Sequence, residues 1–444
     1  MKYKHFIFGT LLLSATGFIS RVIGFFYRIF LSKVYGETGM GIYQLVSPVS
    51  AIVYALSAAG IQTAVSKITA EKVNLKSRKQ DILHLLIAAM LISVGIATFC
   101  SFIIIFFREP IAVHIIGEAR TIPLLTMLAL HFPFSSMHSC INGVYYGLHK
   151  SAIPAISQLL EQIGRVGSVY FIYLYADSKG CNITLSGAVF GITIGEIIAV
   201  FFSFIALFIT SHKEKFILIF RPGLIAEKIH RLINFAAPLS LNRIIINLLS
   251  AFEAFLLPRQ LMAFGLSREG ALSLYGVLTG MAIPIIMFPS ALPSSANVLL
   301  LPIVSEADAT KNNERIRNLL IRSVRYSLIF GFSCTLIFLL AADFAGTYLF
   351  NSPLAGSYIR NLSFICPFLY IGGTFSSILH GLGKIRYTFI TSTSCLILRI
   401  LLVICIVPVF VMKGYLLIML FYAITTSSLF FLALKKYLLY NKPY

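Results

Sequence analysis

The sequence predicts an all-α polytopic membrane protein with about twelve transmembrane helices. Three observations predict it. The 444 residues are 58% hydrophobic and 12% charged, with a mean hydropathy of +0.88. An ordinary soluble domain carries about 25% charged residues, and half that fraction cannot coat a globule of this size. Second, apolar runs of roughly 20 residues, the length of one bilayer crossing, recur along the whole chain. Third, Lys and Arg collect at alternate ends of those runs. A soluble enzyme is excluded. The balance of 36 Lys+Arg against 16 Asp+Glu, net +20, would point to nucleic acid in a soluble protein. In a membrane protein it points to basic cytoplasmic loops, and no nucleic-acid partner is expected.

The spans follow in order. Span one, 6–33, starts behind Lys2 and Lys4 as a signal peptide would. Its apolar run continues past Arg21 to about Phe30 without a small-residue cleavage site, so it reads as a retained helix. Span two, 40–66, passes from Tyr43 through Pro, Ser and Ala. Spans three (81–107) and four (121–147) are apolar runs, the latter holding His131 and His138. Span five, 151–176, contains the polar stretch EQIGR, and span six, 183–211, contains Glu196. Span seven, 231–257, carries Arg243 and Glu253. Span eight, 271–303, is proline-rich. Spans nine (319–343), ten (355–381), eleven (385–411, with Arg399) and twelve (414–435) complete the set.

Basic residues cluster after span two (Lys67, Lys72, Lys76), after span six (Lys213, Lys215, Arg221), after span eight (Lys311, Arg315) and at the C-terminus. That pattern puts both termini in the cytoplasm. The longest break, 212–230, is basic and amphipathic and is expected along the cytoplasmic interface. It divides the chain into two six-helix lobes, 1–220 and 221–444.

The halves are weakly similar. Spans two and eight each start behind an aromatic (Tyr43, Tyr275) and end in a Ser near an acid (Ser66 and Glu71, Ser305 and Glu306). Spans one and seven each carry an arginine (Arg21, Arg243). Six spans per half makes these parallel repeats. Pro284, Pro289 and Pro293, with Pro302, must bend or break span eight. Two readings stand: a hinge or cavity wall, or a kinked lipid-facing helix.

Charges within the spans are the candidate site residues. Arg21 and Arg28 lie seven apart in span one, on one helix face with Gly17 and Gly24. A central arginine costs about 2.5–3.5 kcal/mol on insertion scales. A cationic stripe facing an anion in a water-filled cavity is one reading, and snorkelling to the headgroups is the other. Glu161 and Arg165 have the favourable i, i+4 order for an intrahelical pair. Glu196 and Glu253 read as lone intramembrane carboxylates: proton or Na⁺ sites, or protonated, hydrogen-bonded structural groups. Arg399 is expected to face the interior. His131, His138 and His380 show no metal-ligand spacing and are expected to be hydrogen-bonded packing residues. No catalytic residue, cofactor or metal is assigned.

The stretches SRVIGFFYR, GETGMGIYQL and AAGIQTAVSK, with SQLLEQIGRV, LLPRQL and LYGVLTGMAIPIIMFPSALPSSANVLLLPIVSEA further on, resemble the stage V sporulation protein B family. That family is in the polysaccharide-transport branch of the multidrug/oligosaccharidyl-lipid/polysaccharide (MOP) flippase superfamily and is similar to lipid II flippases. The resemblance implies a MATE-like fold, with two six-helix lobes around a central cavity. It implies a bacterial cell-membrane flippase for an undecaprenyl-pyrophosphate-linked oligosaccharide, such as a peptidoglycan or spore-cortex precursor. The pyrophosphate would meet Arg21, Arg28 and Arg243. Arg21 matches the lipid II flippase pattern. Arg28 falls one residue later than that pattern's second arginine, and one residue turns a helix face by about 100°. The pattern supplies no counterpart of Arg243. Members often have further spans at the C-terminus, where this chain stops near twelve. Apart from the resemblance, Glu161, Arg165, Glu196 and Glu253 are candidates for structural ion pairs or for coupling to Na⁺ or H⁺, and cell-wall synthesis enzymes are candidate partners.

Two rivals remain. A cation-coupled drug antiporter of the same superfamily should have an acidic cavity, whereas span one is doubly basic. A membrane-embedded glycosyltransferase or polymerase needs interfacial acids for a metal or a base. The outer acids Glu109, Glu118, Asp177 and Glu269 are scattered, so a non-enzymatic role is expected.

Overall fold

The structure, a computed structural model, describes the backbone of residues 2–72, 78–181, 183–213 and 222–440. Side chains of 1–12, 14, 72–80, 182, 213–222 and 439–444 lie outside that description, as do Lys76, Lys215, Arg221 and residues 214–220 of the expected interfacial linker. The described residues are almost all helical, joined by short turns and without strands.

Among the described residues, nine helices are long and apolar enough to cross a bilayer. Two of them have the length of two crossings. Ala15–Glu71 holds spans one and two in 57 residues, and Ile385–Leu438 holds spans eleven and twelve in 54. At 1.5 Å per residue each far exceeds a core of about 30 Å. The first breaks at Gly36 (φ 65°, ψ −172°), in the left-handed φ region that glycine enters without a Cβ penalty. The second breaks at Val411 (φ 52°, ψ −139°). Span five, Ala152–Ser178, is a 27-residue helix whose polar residues lower its hydropathy. The set is consistent with twelve crossings. One expectation changes: Pro222 opens a 42-residue helix to Ala263, so the second half of the linker belongs to the helix of span seven. Proline suits that first-turn position because its missing N–H would have no helical partner there.

Contacts divide the chain into two compact units. The first is Met1–Tyr27 with Ile42–Ala251; the second is Arg28–Gly41 with Phe252–Tyr444.

The core of the first unit joins spans two, three and four through Val65, Ile68, Ile82, Leu86, Ile141 and Val144. The core of the second joins spans eight, nine and ten through Val304, Ala307, Ile316, Leu320, Leu379 and Leu382. Position by position these are the same core. Spans two and eight correspond at a separation of 239 residues, three and nine at 234, four and ten at 238. Polar details recur too, most of them at the same separations, with Ser363 and Asn297 displaced from the positions that Ala129 and Ser57 would give. The Ser101 hydroxyl donates to the carbonyls of Ala97 and Ala129; the Thr335 hydroxyl donates to those of Gly331 and Ser363. A Cβ on Gly143 would press on Gln62 O and Val65, and one on Gly381 on Leu301 O and Val304. Ser57, Ser93 and Ser136 form a hydroxyl node in one unit; Asn297, Ser327 and Thr374 form it in the other. The weak sequence repeat is thus a close structural repeat.

Candidate functional site

Both units contain helical segments wound one residue per turn too loosely. Span two is Ser47–Tyr54, a π segment Ala55–Ala59, then Gly60–Lys72. Span eight is Arg268–Gly276, a π segment Val277–Ala282, Ile283–Met287, a short 3₁₀ turn Phe288–Ser290, then Ala291–Ala309. Pro284 opens Ile283–Met287, Pro289 lies in the 3₁₀ turn and Pro293 in the first turn of the last piece. Wide turns shift carbonyls out of the regular ladder, and such bulges concentrate at functional positions.

An arginine reaches each of these two π segments. In the first unit, Arg243 of span seven donates to the Ala59 carbonyl at 3.2 Å. In the second, Arg28 of span one approaches the Thr279 carbonyl at 3.5 Å. The two contacts are not repeat equivalents: at the 239-residue separation of spans two and eight, Ala59 corresponds to Val298 and Thr279 to Met40. Close backbone approaches flank both contacts. A Cβ on Gly60 would meet Ser240 Oγ at 2.0 Å, and one on Gly276 would meet Glu37 O at 2.1 Å. Glu37, beside that second approach, accepts from the hydroxyls of Ser273 and Ser352, each at 2.5 Å.

Arg21 differs. It is exposed and has no hydrogen-bond or ion-pair partner among the described residues. A Cβ at Gly17, one turn before it, would meet nothing within 4 Å. One turn after it, Gly24 packs against Gln162 of span five.

Neither Glu196 nor Glu253 is a lone carboxylate, which corrects that expectation. Glu253 accepts from Nε of Arg399 at 2.9 Å, from its Nη2, and from the Tyr415 hydroxyl at 2.9 Å. The Arg399 guanidinium also stacks 4.5 Å from the Tyr422 ring centroid. Every strong partner there is filled, so this group is a fastening of the second unit.

Glu196 bonds His138 Nδ1 at 2.7 Å, and His138 Nε2 bonds Ser157 Oγ at 2.9 Å. Arg165 Nη2 donates to Glu161. His138, Glu161 and Glu196 bring a ring nitrogen and two carboxylates within 4.8 Å of one another. Both imidazole nitrogens are engaged and Glu161 already holds a guanidinium, so the donor set is filled by its own charges and does not suit a metal ion. Seven residues before His138 lies His131, 8% exposed, with Nδ1 unpartnered. It lines a cavity of about 260 Å³ with Ser47, Ser50, Tyr54, Ser57 and Ser135. His380 bonds Thr388 at 2.8 Å. Of the three histidines, His131 departs from the expected packing role.

Sequence reasoning missed Glu37, the His138–Glu196 pair, and the Glu253–Arg399 pair. The last joins residues 146 positions apart. The available signal was cost: a carboxylate and a guanidinium in separate apolar helices each need a partner. For the histidines the signal was the i, i+7 spacing on one helix face.

Residues 7–308 match the polysaccharide biosynthesis protein family. The chain is 24% identical over 386 residues to stage V sporulation protein B of Bacillus subtilis (strain 168), covering 86% of this chain and 74% of that protein. It is 23% identical over 343 residues to the lipid II flippase MurJ of the same organism, covering 72% of this chain and 61% of that one. Among solved structures, an inward-facing multidrug resistance MATE transporter of the MOP superfamily superposes over 95% of each chain, with a TM-score of 0.75 at 14% identity. A MOP superfamily transporter from Pyrococcus furiosus Vc1, for which reverse polarity of the binding pocket suggests a different function, superposes over 98% of this chain and 96% of that one, with a TM-score of 0.67 at 14% identity. At such identity the structures speak for the fold, which is the MATE-like fold of the MOP superfamily. With 302 consecutive residues matched on this multi-pass helical scaffold, the chain belongs to the polysaccharide biosynthesis protein family.

Proposed function

We propose that this protein flips a polyprenyl-pyrophosphate-linked oligosaccharide, of the lipid II class, across the bacterial cell membrane by alternating access. Family membership and the relation to a lipid II flippase support the substrate class. The observation that carries the reading is Arg21, an exposed guanidinium without a partner among the described residues, on an apolar first span. A charge at that depth costs about 2.5–3.5 kcal/mol on insertion scales. An anionic headgroup offsets that cost, and the planar guanidinium binds phosphate oxygens through two parallel hydrogen bonds.

The sugar-phosphate head cannot enter hydrocarbon, whereas the prenyl tail can stay there. Neutralising the head at Arg21 while one lobe rocks against the other carries it from the cytoplasmic to the outer face. The lobes are 1–220 and 221–444, with both termini cytoplasmic; the matched cores of the two units support a two-lobe repeat. Arg28 and Arg243 hold the π segments of spans eight and two at rest, and a phosphate replaces the Thr279 carbonyl as partner of Arg28. Pro284, Pro289 and Pro293 lie where span eight is already interrupted and serve as its hinge. The antiporter reading needs carboxylates open to an organic cation, and both Glu196 and Glu253 are consumed by internal partners.

The test is lipid II binding in nanodiscs, with a polyprenyl monophosphate and a neutral lipid-linked sugar as competitors. Arg21→Ala is expected to weaken lipid II binding by about ten- to a hundredfold, the value of hydrogen bonds to a charged group. Competition should follow pyrophosphate over monophosphate over neutral lipid. Equal affinity of wild type and variant for all three lipids would remove Arg21 from the site and the reading with it.

A further inference from the structure

The duplicated scaffold isolates one feature that packing does not require. Core positions repeat between the units at fixed separations, and polar contacts of the same kind recur beside them. The buried ionic cluster of the first unit does not. At the separation that relates spans four and ten, the counterpart of His138 is Ser376. A six-helix unit of this geometry is therefore held together without a histidine at that place.

We propose that the His138–Glu196 pair is a reversible proton-binding site, supplied from the His131 cavity, and that its proton is the coupling ion of transport. The link to transport rests on the flippase reading above; the proton site itself does not.

The chemistry is charge counting in a dry place. Span four contributes His131 and His138, span five Glu161 and Arg165, and span six Glu196. Tyr27 and Tyr43 are the remaining titratable groups beside Arg165. Glu161 and Arg165 cancel. With one proton on the pair, an imidazolium faces a carboxylate at 2.7 Å and the cluster is neutral. Without it, a neutral imidazole faces a carboxylate that is 4% exposed, and the cluster carries one net negative charge. A buried net charge is unfavourable by several kcal/mol unless compensated, so the two protonation states favour different degrees of solvent access. That is the property a coupling site needs: proton occupancy biases opening and closing. Histidine is the side chain whose ordinary titration range spans neutral pH.

Access has a structure too. His131 and His138 share a helix face two turns apart, about 10 Å along the axis. His131 is more than nine-tenths buried, yet its Nδ1 finds no protein partner. It faces a cavity of about 260 Å³ walled by the hydroxyls of Ser47, Ser50, Tyr54, Ser57 and Ser135. Several water molecules fit such a volume, and the walls supply the polar contacts each needs. The hydroxyl-lined cavity ends on a buried imidazole two helical turns from the pair, and in the proposed site the proton enters from that side.

The experiment is a pH titration of the protein in nanodiscs, with histidine labelled for NMR, from about pH 5 to 9. His138→Gln assigns the His138 signal by its loss. In the wild type that signal is expected to titrate within the range. Glu196→Gln keeps a hydrogen-bonding side chain but removes the charge, and is expected to lower the midpoint by at least about one unit. Arg21→Ala should leave the titration untouched. A His138 signal that stays in one state across the range, or an unmoved midpoint in Glu196→Gln, overturns the site. Displacement of the titration by Na⁺ but not by choline overturns proton specificity.

A second arm measures lipid II flipping in proteoliposomes under an imposed pH gradient. Wild-type flipping should respond to the gradient. Glu196→Gln should bind lipid II as the wild type does and flip it at a rate indifferent to the gradient. A wild type indifferent to the gradient overturns the coupling role even if the site titrates. Failure of lipid II to bind any variant removes the flippase reading and the coupling claim, and the titration still decides the proton site.

Discussion

Arg399→Met is expected to destabilise the protein by about 3–5 kcal/mol, because it strands a buried carboxylate. Glu253 is 4% exposed on its side chain and Arg399 18%. Two of the three hydrogen bonds that Glu253 accepts come from Arg399, leaving only the Tyr415 hydroxyl. Restoring hydration to Glu253 requires opening the second unit. The double variant Glu253→Gln/Arg399→Met should recover most of the loss, since removing both charges also removes the desolvation that each imposes. Arg399→Lys should fall between. An ammonium keeps the charge but loses the second parallel hydrogen bond and the stacking on Tyr422. Thermal unfolding of the wild type, Arg399→Met, Glu253→Gln and the double variant in one detergent closes the double-mutant cycle. A double variant as unstable as Arg399→Met would mean that the methionine, not the stranded charge, does the damage.

That pair shows where the sequence was legible. The cost of Glu253 and Arg399 could be read from two charges in apolar runs. Their meeting could not, because it depends on how the helices of spans seven and eleven pack. Glu161 and Arg165 lie one turn apart, and helix geometry alone brings them together. Local chemistry was readable for the same reason in span eight. Proline cannot donate into the ladder, so the interruptions between Val277 and Ser290 were implied by Pro284 and Pro289.

The π segment of span two carries no such mark. Its residues, Ala-Leu-Ser-Ala-Ala at 55–59, would sit comfortably in a regular helix. What stabilises the wider turn is tertiary: Arg243 donates to the Ala59 carbonyl and Ser93 to the Ser57 carbonyl. The repeat follows the same logic. Ser66 and Ser305 were visible as partners because the residue type survives, and they stand at the 239-residue separation of their spans. The hydroxyl nodes were not visible, since Ser57 and Ser136 are replaced by Asn297 and Thr374. Geometry is retained there while identity is not. The arginines show the converse. Identity suggested Arg21 as the counterpart of Arg243, but of the two span-one arginines it is Arg28 that meets a backbone carbonyl, and Arg21 has no hydrogen-bond or ion-pair partner among the described residues.

Gly276→Ala is expected to abolish the folded protein or lower its thermal midpoint more than any other single-methyl change discussed. An ideal Cβ at Gly276 lies 2.1 Å from Glu37 O and 2.5 Å from Gly41 N. Reciprocally, a Cβ at Gly41 lies 2.2 Å from Leu272 O. These obstacles are backbone atoms, so no rotamer change relieves them. Small residues let helices in bilayers approach closely enough for backbone packing to hold them. Overpacking such a contact costs about 1–3 kcal/mol even where side chains can yield, and here they cannot. The approach is also tied to its surroundings. Glu37 is held by Ser273 on one side and Ser352 on the other, and Val277 begins the π segment immediately after Gly276. A methyl group at 276 therefore pushes on the interrupted part of span eight as well as on the segment between Gly36 and the start of span two. Gly17→Ala is the control. Its Cβ meets nothing within 4 Å, and replacing a helical glycine by alanine should be neutral or stabilising by up to about 1 kcal/mol. Size-exclusion profiles and melting curves of the two variants decide it. If Gly276→Ala melts with the wild type, residues 37–41 and 272–276 do not touch, and the carbonyl contact of Arg28 with Thr279 must be given up with them.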